Sequence, residues 1–407
     1  MKNGVTPVNL AGTVKRNLAV LAFTQALITI IVQTFVVHVP VTIILLGGSA
    51  TLAGLGTAFM WGGKLVTTYQ MGRLMDMVGR MPLVMAGMAL LAVSAAAAGL
   101  SALQHLLVPY LVVLVLFGIG RGMADNSRIA AGDMLPPEKR GLGTGFLLTG
   151  SLAGTLAATP MIAAVHTWAG EDSIAAAYFA TIPFAAAGFL SAFSVRPDPL
   201  QIARIHLHGN PRRAQPQARG LREIMTPTLI FAYASSAITT GVMVAFMSLA
   251  SLLLHTHDIP ISIISLVVTI HVIGMYAFSV PLGRAADMLG RVLVTVSGVV
   301  VCAVGAYITA VGGSLPLVTP GMFLVGVGWS AATVGSLALI SDETAPEERG
   351  KALGLNDTSI ALASLATPIL ASAVLEHLGA TALGLVGLSS AAPPLLLAKT
   401  FKSPREN

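Results

Sequence analysis

Apolar residues run through this chain in blocks of about 20, the length a helix needs to cross the hydrocarbon of a bilayer. The blocks show neither the alternation of a half-buried strand nor the narrow stripe of a surface helix. Glycine, proline and charged residues separate them. Twelve can be marked, at 17–39, 46–69, 82–102, 107–129, 142–165, 174–194, 226–253, 260–282, 292–312, 317–340, 351–375 and 381–398. The pattern predicts an all-α membrane protein with twelve transmembrane helices. The polar stretch 195–225 holds Pro197, Pro199, Pro211 and Pro216 among arginines and histidines. It divides a six-helix bundle over 1–194 from a second over 226–407, joined by a basic linker.

Composition agrees: 55% of the 407 residues are apolar and 10% charged, against roughly 25% charged in soluble domains. The lone Cys302 excludes an intrachain disulfide framework. A net charge of +6 could suggest a nucleic-acid binder, but the cations lie between the apolar blocks and not on one solvated face. With an even number of spans and the N-terminus inside, 20 of the 23 lysines and arginines fall in cytoplasmic segments. The other three, Lys64, Arg121 and Arg128, lie in or beside spans, while the external loops carry Glu171, Asp172, Asp258 and Glu376. This asymmetry places both termini in the cytoplasm of a plasma, or inner, membrane. No cleaved signal peptide is expected.

The halves share motifs. Gly72-Arg73-Leu74-Met75-Asp76-Met77-Val78-Gly79-Arg80 recurs 211 positions later as Gly283-Arg284-Ala285-Ala286-Asp287-Met288-Leu289-Gly290-Arg291. A second pair, Asp133 to Gly141 and Asp342 to Gly350, recurs at an offset of 209. Two motifs at nearly one offset mark a duplicated six-span unit. With these loops the whole chain resembles the major facilitator superfamily, whose corresponding loop reads G-x-L-x-D-R-x-G-R-[KR]. Gly72, Leu74, Asp76, Gly79 and Arg80 match, whereas Met77 and Met81 stand at two of its basic positions. The resemblance implies two six-helix bundles rocking around a central cavity lined by the first, fourth, seventh and tenth helices. Independently of the family, the glycines permit tight turns, the arginines anchor at headgroups, and Asp76 can act as a cytoplasmic latch.

Charges inside the hydrocarbon cost about 3 kcal/mol each on insertion scales, so Lys64, Arg121, Asp125 and Asp357 must be paired or wet. Arg121, Asp125 and Arg128 share one face of the fourth helix. Gln25, Thr29 and Gln33 form a polar stripe on the first helix, Ser236 and Thr240 on the seventh, followed by Met243 and Met247. Trp329 and Thr333 lie on the tenth, Trp329 aligned with Arg121. These define an expected substrate cavity. Asp125 is the expected proton carrier, because burial favours its protonated form and Arg121 its ionised form; Asp357 and His271 come next. Lys64 and Asp357 sit at equal depth and are expected to form a breakable lock between the halves, beside Gly72, Arg73, Asp76, Gly79, Arg80 and their repeats Gly283, Arg284, Asp287, Gly290 and Arg291. His255, His257 and Asp258 share a loop that lacks further ligands, and no metal site is expected.

Protease, esterase and ATP-binding motifs are absent from the sequence, so neither an enzyme nor a cofactor is expected. The fifth helix carries Gly150-x-x-x-Gly154-Thr155 where drug/proton antiporters of the superfamily have a Gly-Pro pair, and Arg121 lies nearer the cytoplasm than their arginine. The reading is a monomeric secondary transporter exporting a small amphipathic molecule against protons, with the lipid bilayer and no nucleic acid as partner. A proton-coupled importer of a small anion, and a non-transporting sensor or scaffold, remain open.

The topology is checked by single cysteines in a chain with Cys302 replaced. An impermeant thiol reagent applied to intact cells should label positions 171 and 376 and leave 215 untouched; labelling of 215 would overturn it.

Overall fold

The computed structural model describes residues 10–125, 127, 130–131, 134–135, 140–170, 173–202, 225–255, 259–344 and 349–398. The chain folds into helices α1 (Leu10–Leu45), α2 (Ala50–Val78), α3 (Arg80–Leu103), α4 (Leu107–Ala124), α5 (Arg140–Ala169), α6 (Ile174–Ala180), α7 (Ile182–Ser194), α8 (Pro227–His255), α9 (Ile261–Ala277), α10 (Ser279–Leu289), α11 (Arg291–Val311), α12 (Leu315–Glu343), α13 (Arg349–Ser389) and α14 (Ala392–Ala398). No strand occurs among the described residues. The α6–α7 and α9–α10 breaks each lie within a single span, and the second bends its span by 41°. Gly379, non-helical at φ 82°, turns the eleventh span into the twelfth inside α13. The twelve apolar blocks are thus twelve spans, with both ends of the described chain on the side that carries the repeated basic loops. That side is called the basic side below and the opposite one the far side.

The duplication extends from sequence into packing. Across the halves α2 packs on α13, α5 on α9, and α1 on α8. Exchanging the halves swaps the first two pairings and returns the third to itself, as a two-fold axis between them requires. Gly79 and Gly290, equivalent in the repeated motif, hold φ at 103° and 104°, a conformation only glycine adopts without strain.

Close backbone contacts repeat as well. A side chain at Gly63 would collide with the Val115 carbonyl oxygen and one at Gly118 with that of Met60, so α2 and α4 touch backbone to backbone. Gly274 on the Phe323 carbonyl and Gly326 on that of His271 do the same for α9 and α12.

The cores show which side is closed. One continuous apolar cluster runs from Ile28, Ile31 and Phe35 of the first half into Phe246, Leu249 and Ile264 of the second. These residues lie toward the far side. On the basic side the cores are separate: Leu21, Met81, Val84 and Leu147 in the first half, Leu229, Phe231, Leu339 and Ile340 in the second. Hydrogen bonds between the halves follow the same division. Gln33 Nε2 donates to Thr269 Oγ1 (3.3 Å), Thr57 Oγ1 to Ser248 Oγ (2.7 Å) and Ser265 Oγ to Thr159 Oγ1 (3.4 Å), and Thr159 also meets Thr269. The halves meet at the far side and part toward the basic side.

Although the sequence marks 195–225 as a linker, its first residues dock on the first half. Asp198 accepts hydrogen bonds from the backbone N–H groups of Arg80 (3.2 Å) and Met81 (3.0 Å), capping α3. Arg16 donates to the Arg196 carbonyl (2.5 Å), and Val195 and Ile202 are buried.

The α2–α4 contact is testable. Gly118→Val should force the helices apart and destabilise the detergent-solubilised protein by about 1–3 kcal/mol. Unchanged thermal unfolding would show that the helices do not touch there.

Candidate functional site

Because α2 and α4 touch, side chains flanking the contact are brought together on the basic side. Lys64, adjacent to Gly63, donates from Nζ to Asp125 Oδ2 at 2.5 Å. Arg121 Nε stands 3.7 Å from the same oxygen, beyond hydrogen-bond length, and is buried without a hydrogen-bond partner among the described residues. One turn before Lys64, the Trp61 indole lies beneath both cations, 5.1 Å from Lys64 Nζ and 5.3 Å from the Arg121 guanidinium carbon. Two cations thus share one carboxylate and one aromatic face, with side chains 22%, 20% and 12% exposed for Lys64, Arg121 and Asp125. With the carboxylate ionised the three groups carry net +1. Ion pairing and the indole quadrupole offset the desolvation of charges at this depth.

This cluster edges a cavity of about 110 Å³ between the two halves. The first half supplies Gln25, Thr29, Gln33, Thr57, Met60, Trp61, Arg121, Asp125, Ser151 and Thr155; the second supplies Met243, Met247, Ser248, Val272, Met275 and Tyr276. The charged and amide groups all come from the first half, interleaved with Ile28, Val32, Val36, Met60 and Trp61; the second half adds methionine, valine, one tyrosine and a single serine, Ser248. The asymmetry sits on matched backbone: shifting Lys64 by the offset of the first motif gives Met275, and aligning the α2–α4 contact with the α9–α12 contact gives Trp329 and Thr333 for Arg121 and Asp125.

Of the residues expected from sequence, Gln25, Thr29, Gln33, Arg121 and Asp125 line the cavity together. Gln25 Oε1 accepts from Ser127 Oγ at 3.0 Å, and Thr29 Oγ1 donates to the Gln25 carbonyl at 2.9 Å. Ser236, Thr240, Trp329 and Thr333 stand behind the second wall: Trp329 Nε1 donates to Thr240 Oγ1 at 3.0 Å and its ring meets Tyr276 edge-on at 6.2 Å. Ser236 Oγ and Thr333 Oγ1 are buried with no hydrogen-bond partner among the described residues. His271 is buried in the second half, donating from Nδ1 to the Met322 carbonyl at 2.7 Å and tying α9 to α12. It does not line the cavity.

Lys64 bonds Asp125 within the first half, and Asp357, the partner that depth suggests for it, is exposed near the start of α13. Among the expected gate residues, Gly283, Arg284 and Asp287 lie on α10, and Gly290 separates it from α11. Arg291 bonds Asp287 one turn back and donates from Nε to Asp342 Oδ2 at 3.1 Å. The two repeated loop motifs of the second half therefore meet on one arginine. Gly72 lies on α2; the side chains of Arg73 and Asp76, and residues 128, 257 and 258, lie outside the described residues.

Sequence reasoning missed Trp61, Met60, Thr57, Met275 and Tyr276. Each sits in an apolar block with nothing to separate it from a lipid-facing residue; the only available signal was Trp61 standing three positions before Lys64.

Comparison with known proteins gives a consistent result. Residues 19–255 and 229–406 each match the model of the Major Facilitator Superfamily. The MFS-type transporter YdeG of Bacillus subtilis (strain 168) is 26% identical over 351 residues, covering 84% of this chain and 81% of its own. The riboflavin transporter RfnT of Brucella anthropi is 25% identical over 263 residues, 64% of each chain. Among solved structures, a bacterial homolog of the human lysosomal transporter Spinster, inward-facing and occupied, superposes with TM-score 0.72 at 14% identity, covering 98% of this chain and 100% of that one.

The charge cluster predicts a measurable coupling. In a double-mutant cycle of Lys64→Met and Asp125→Asn, thermal stability should show an interaction of at least about 1 kcal/mol, since Asp125→Asn sets the Lys64 charge against Arg121 and Lys64→Met removes the shortest ion pair of Asp125. Additivity within a few tenths of a kcal/mol would mean that the pair does not form.

Proposed function

The chain belongs to the major facilitator superfamily and is a multi-pass membrane transporter, and on that footing we propose that it exports a small amphipathic solute in exchange for protons by alternating access. The observation that carries this reading is the two-faced cavity. A charged and amide-bearing wall suits the polar end of a ligand, while the Met243, Met247, Met275 and Tyr276 wall suits an apolar or planar one. Methionine side chains are flexible and polarizable, and they tolerate ligands of varied shape.

Proton coupling follows from charge arithmetic at Asp125. Ionised, it balances one of two cations; protonated, it leaves Lys64 and Arg121 facing each other's charge across a desolvated site. A proton and a solute that changes this balance cannot bind independently of each other. With the basic side cytoplasmic, the conformation described here faces inward, ready to load solute from the cytoplasm and release a proton there. The membrane would be the plasma membrane.

The positive excess favours a second reading, import of an anionic solute together with protons, in which Arg121 holds the anion. Both readings are separated in liposomes containing the protein and an internal pH dye. A panel of amphipathic compounds is applied outside, starting with riboflavin because of the Brucella relative.

An antiporter alkalinises the lumen as compound enters, a symporter acidifies it, and a scaffold leaves it unchanged. For whichever compound responds, Asp125→Asn should reduce the pH signal at least about tenfold while exchange of labelled compound continues. A full pH signal in Asp125→Asn would move the coupling role to another residue.

A further inference from the structure

A second cluster of titratable side chains lies on the far side, away from the cavity. His38 on α1 and His166 on α5 are both buried, with Nε2 facing Nε2 at 2.9 Å and rings stacked 5.2 Å apart at 12°. Their protonation is fixed by elimination. His38 Nδ1 lies 2.7 Å from the Thr34 carbonyl oxygen, which only accepts, so Nδ1 carries hydrogen. In the neutral ring Nε2 of His38 is then an acceptor, and His166 must donate from its own Nε2. That leaves His166 Nδ1 as a bare lone pair, and it is buried with no hydrogen-bond partner among the described residues.

We propose that His38 and His166 together form a binding site for one proton on the far side of the molecule, separate from Asp125. The added proton goes to His166 Nδ1, giving an imidazolium whose Nε2–H remains donated to His38. A second proton is excluded, because it would set N–H against N–H across 2.9 Å.

The pair is close to the far surface: His166 is three residues from the end of α5 and His38 seven from the end of α1, depths of roughly 5 and 10 Å at 1.5 Å per residue. Other titratable groups bound the site. Tyr178 of α6 is 5.9 Å away, ring to ring, and its hydroxyl is shared with Thr42 of α1 and Tyr110 of α4. The side chains that α9 turns toward this region, Ser265 and Thr269, do not titrate. The acidic residues 171 and 172, which follow α5, lie outside the described residues. Nothing in the elimination depends on Asp125 being the coupled residue, so the site and the proposed transport reading stand or fall separately.

The test is solid-state NMR of the full chain, with ¹⁵N in its histidine rings, reconstituted in liposomes and titrated from about pH 8.5 to about pH 4.5. Spectra of His38→Gln and His166→Gln assign the two rings, and either variant suffices if the other fails to fold. The expected result is a pair whose signals change together and gain one proton in total, with His166 Nδ1 as the nitrogen that becomes protonated. Two rings each gaining its own proton would overturn the site. So would a pair unchanged across the whole range in protein that retains its fold.

Discussion

Three charges can persist between helices at membrane depth here only because two of those helices touch without intervening side chains. Gly63 and Gly118 bring the α2 and α4 backbones into contact, and that contact sets Lys64 within reach of Asp125 and Trp61 beneath Arg121. Were the helices at ordinary separation, three charges costing about 3 kcal/mol apiece would have to seek water one by one. A backbone constraint is thus converted into an electrostatic one. The cavity inherits both, since Trp61, Arg121 and Asp125 are simultaneously its wall and the seam of α2 with α4.

The second half repeats the seam without the charges. Gly274 and Gly326 make the same close approach of α9 to α12, yet the matched side chains are Met275, Trp329 and Thr333. The duplicated fold therefore preserves what holds helices together, which is the absence of a Cβ at the crossing. It leaves free what those helices present to the cavity. His271 belongs to the packing side of this division: its carbonyl receives Gly326, and its ring bonds the Met322 carbonyl across the same seam. A mid-membrane histidine on the sequence reads as a titrating group, and the structure shows what else it does.

Most of the architecture was legible because a bilayer imposes long apolar runs and one-sided cations, both of which survive in a single sequence. The polar stripe of Gln25, Thr29 and Gln33 and the charges of α4 were legible for the same reason: a polar residue in hydrocarbon needs a cause. Apolar cavity residues had no such signature. Met60, Met275 and Tyr276 would serve equally against lipid, and only the crossing of helices distinguishes them. Pairings were hidden too. His38 and His166 are 128 positions apart, one inside an apolar block and one just past the end of another, and depth pointed from Lys64 to Asp357 without offering Asp125, which Lys64 bonds. Depth is one coordinate, and choosing between partners needs the rotation of each helix and the side on which the halves part.

That opening also sorts the contacts by what must break when the molecule turns over. The Lys64, Arg121 and Asp125 cluster lies wholly in the first half, and the bond of His271 to Met322 wholly in the second. A rocking motion of rigid halves leaves both intact. Among the described residues, the polar contacts it must break include those of Gln33, Thr57 and Thr159 with Ser248, Ser265 and Thr269. These are bonds between neutral groups, worth about 1 kcal/mol each net, and water entering from the far side can replace them. Closure therefore rests in part on weak, replaceable hydroxyl and amide bonds over an apolar contact, while the Lys64, Arg121 and Asp125 cluster stays within one rigid unit. Such a division lets two conformations lie within a few kcal/mol of each other, a gap that a bound solute or proton can tip.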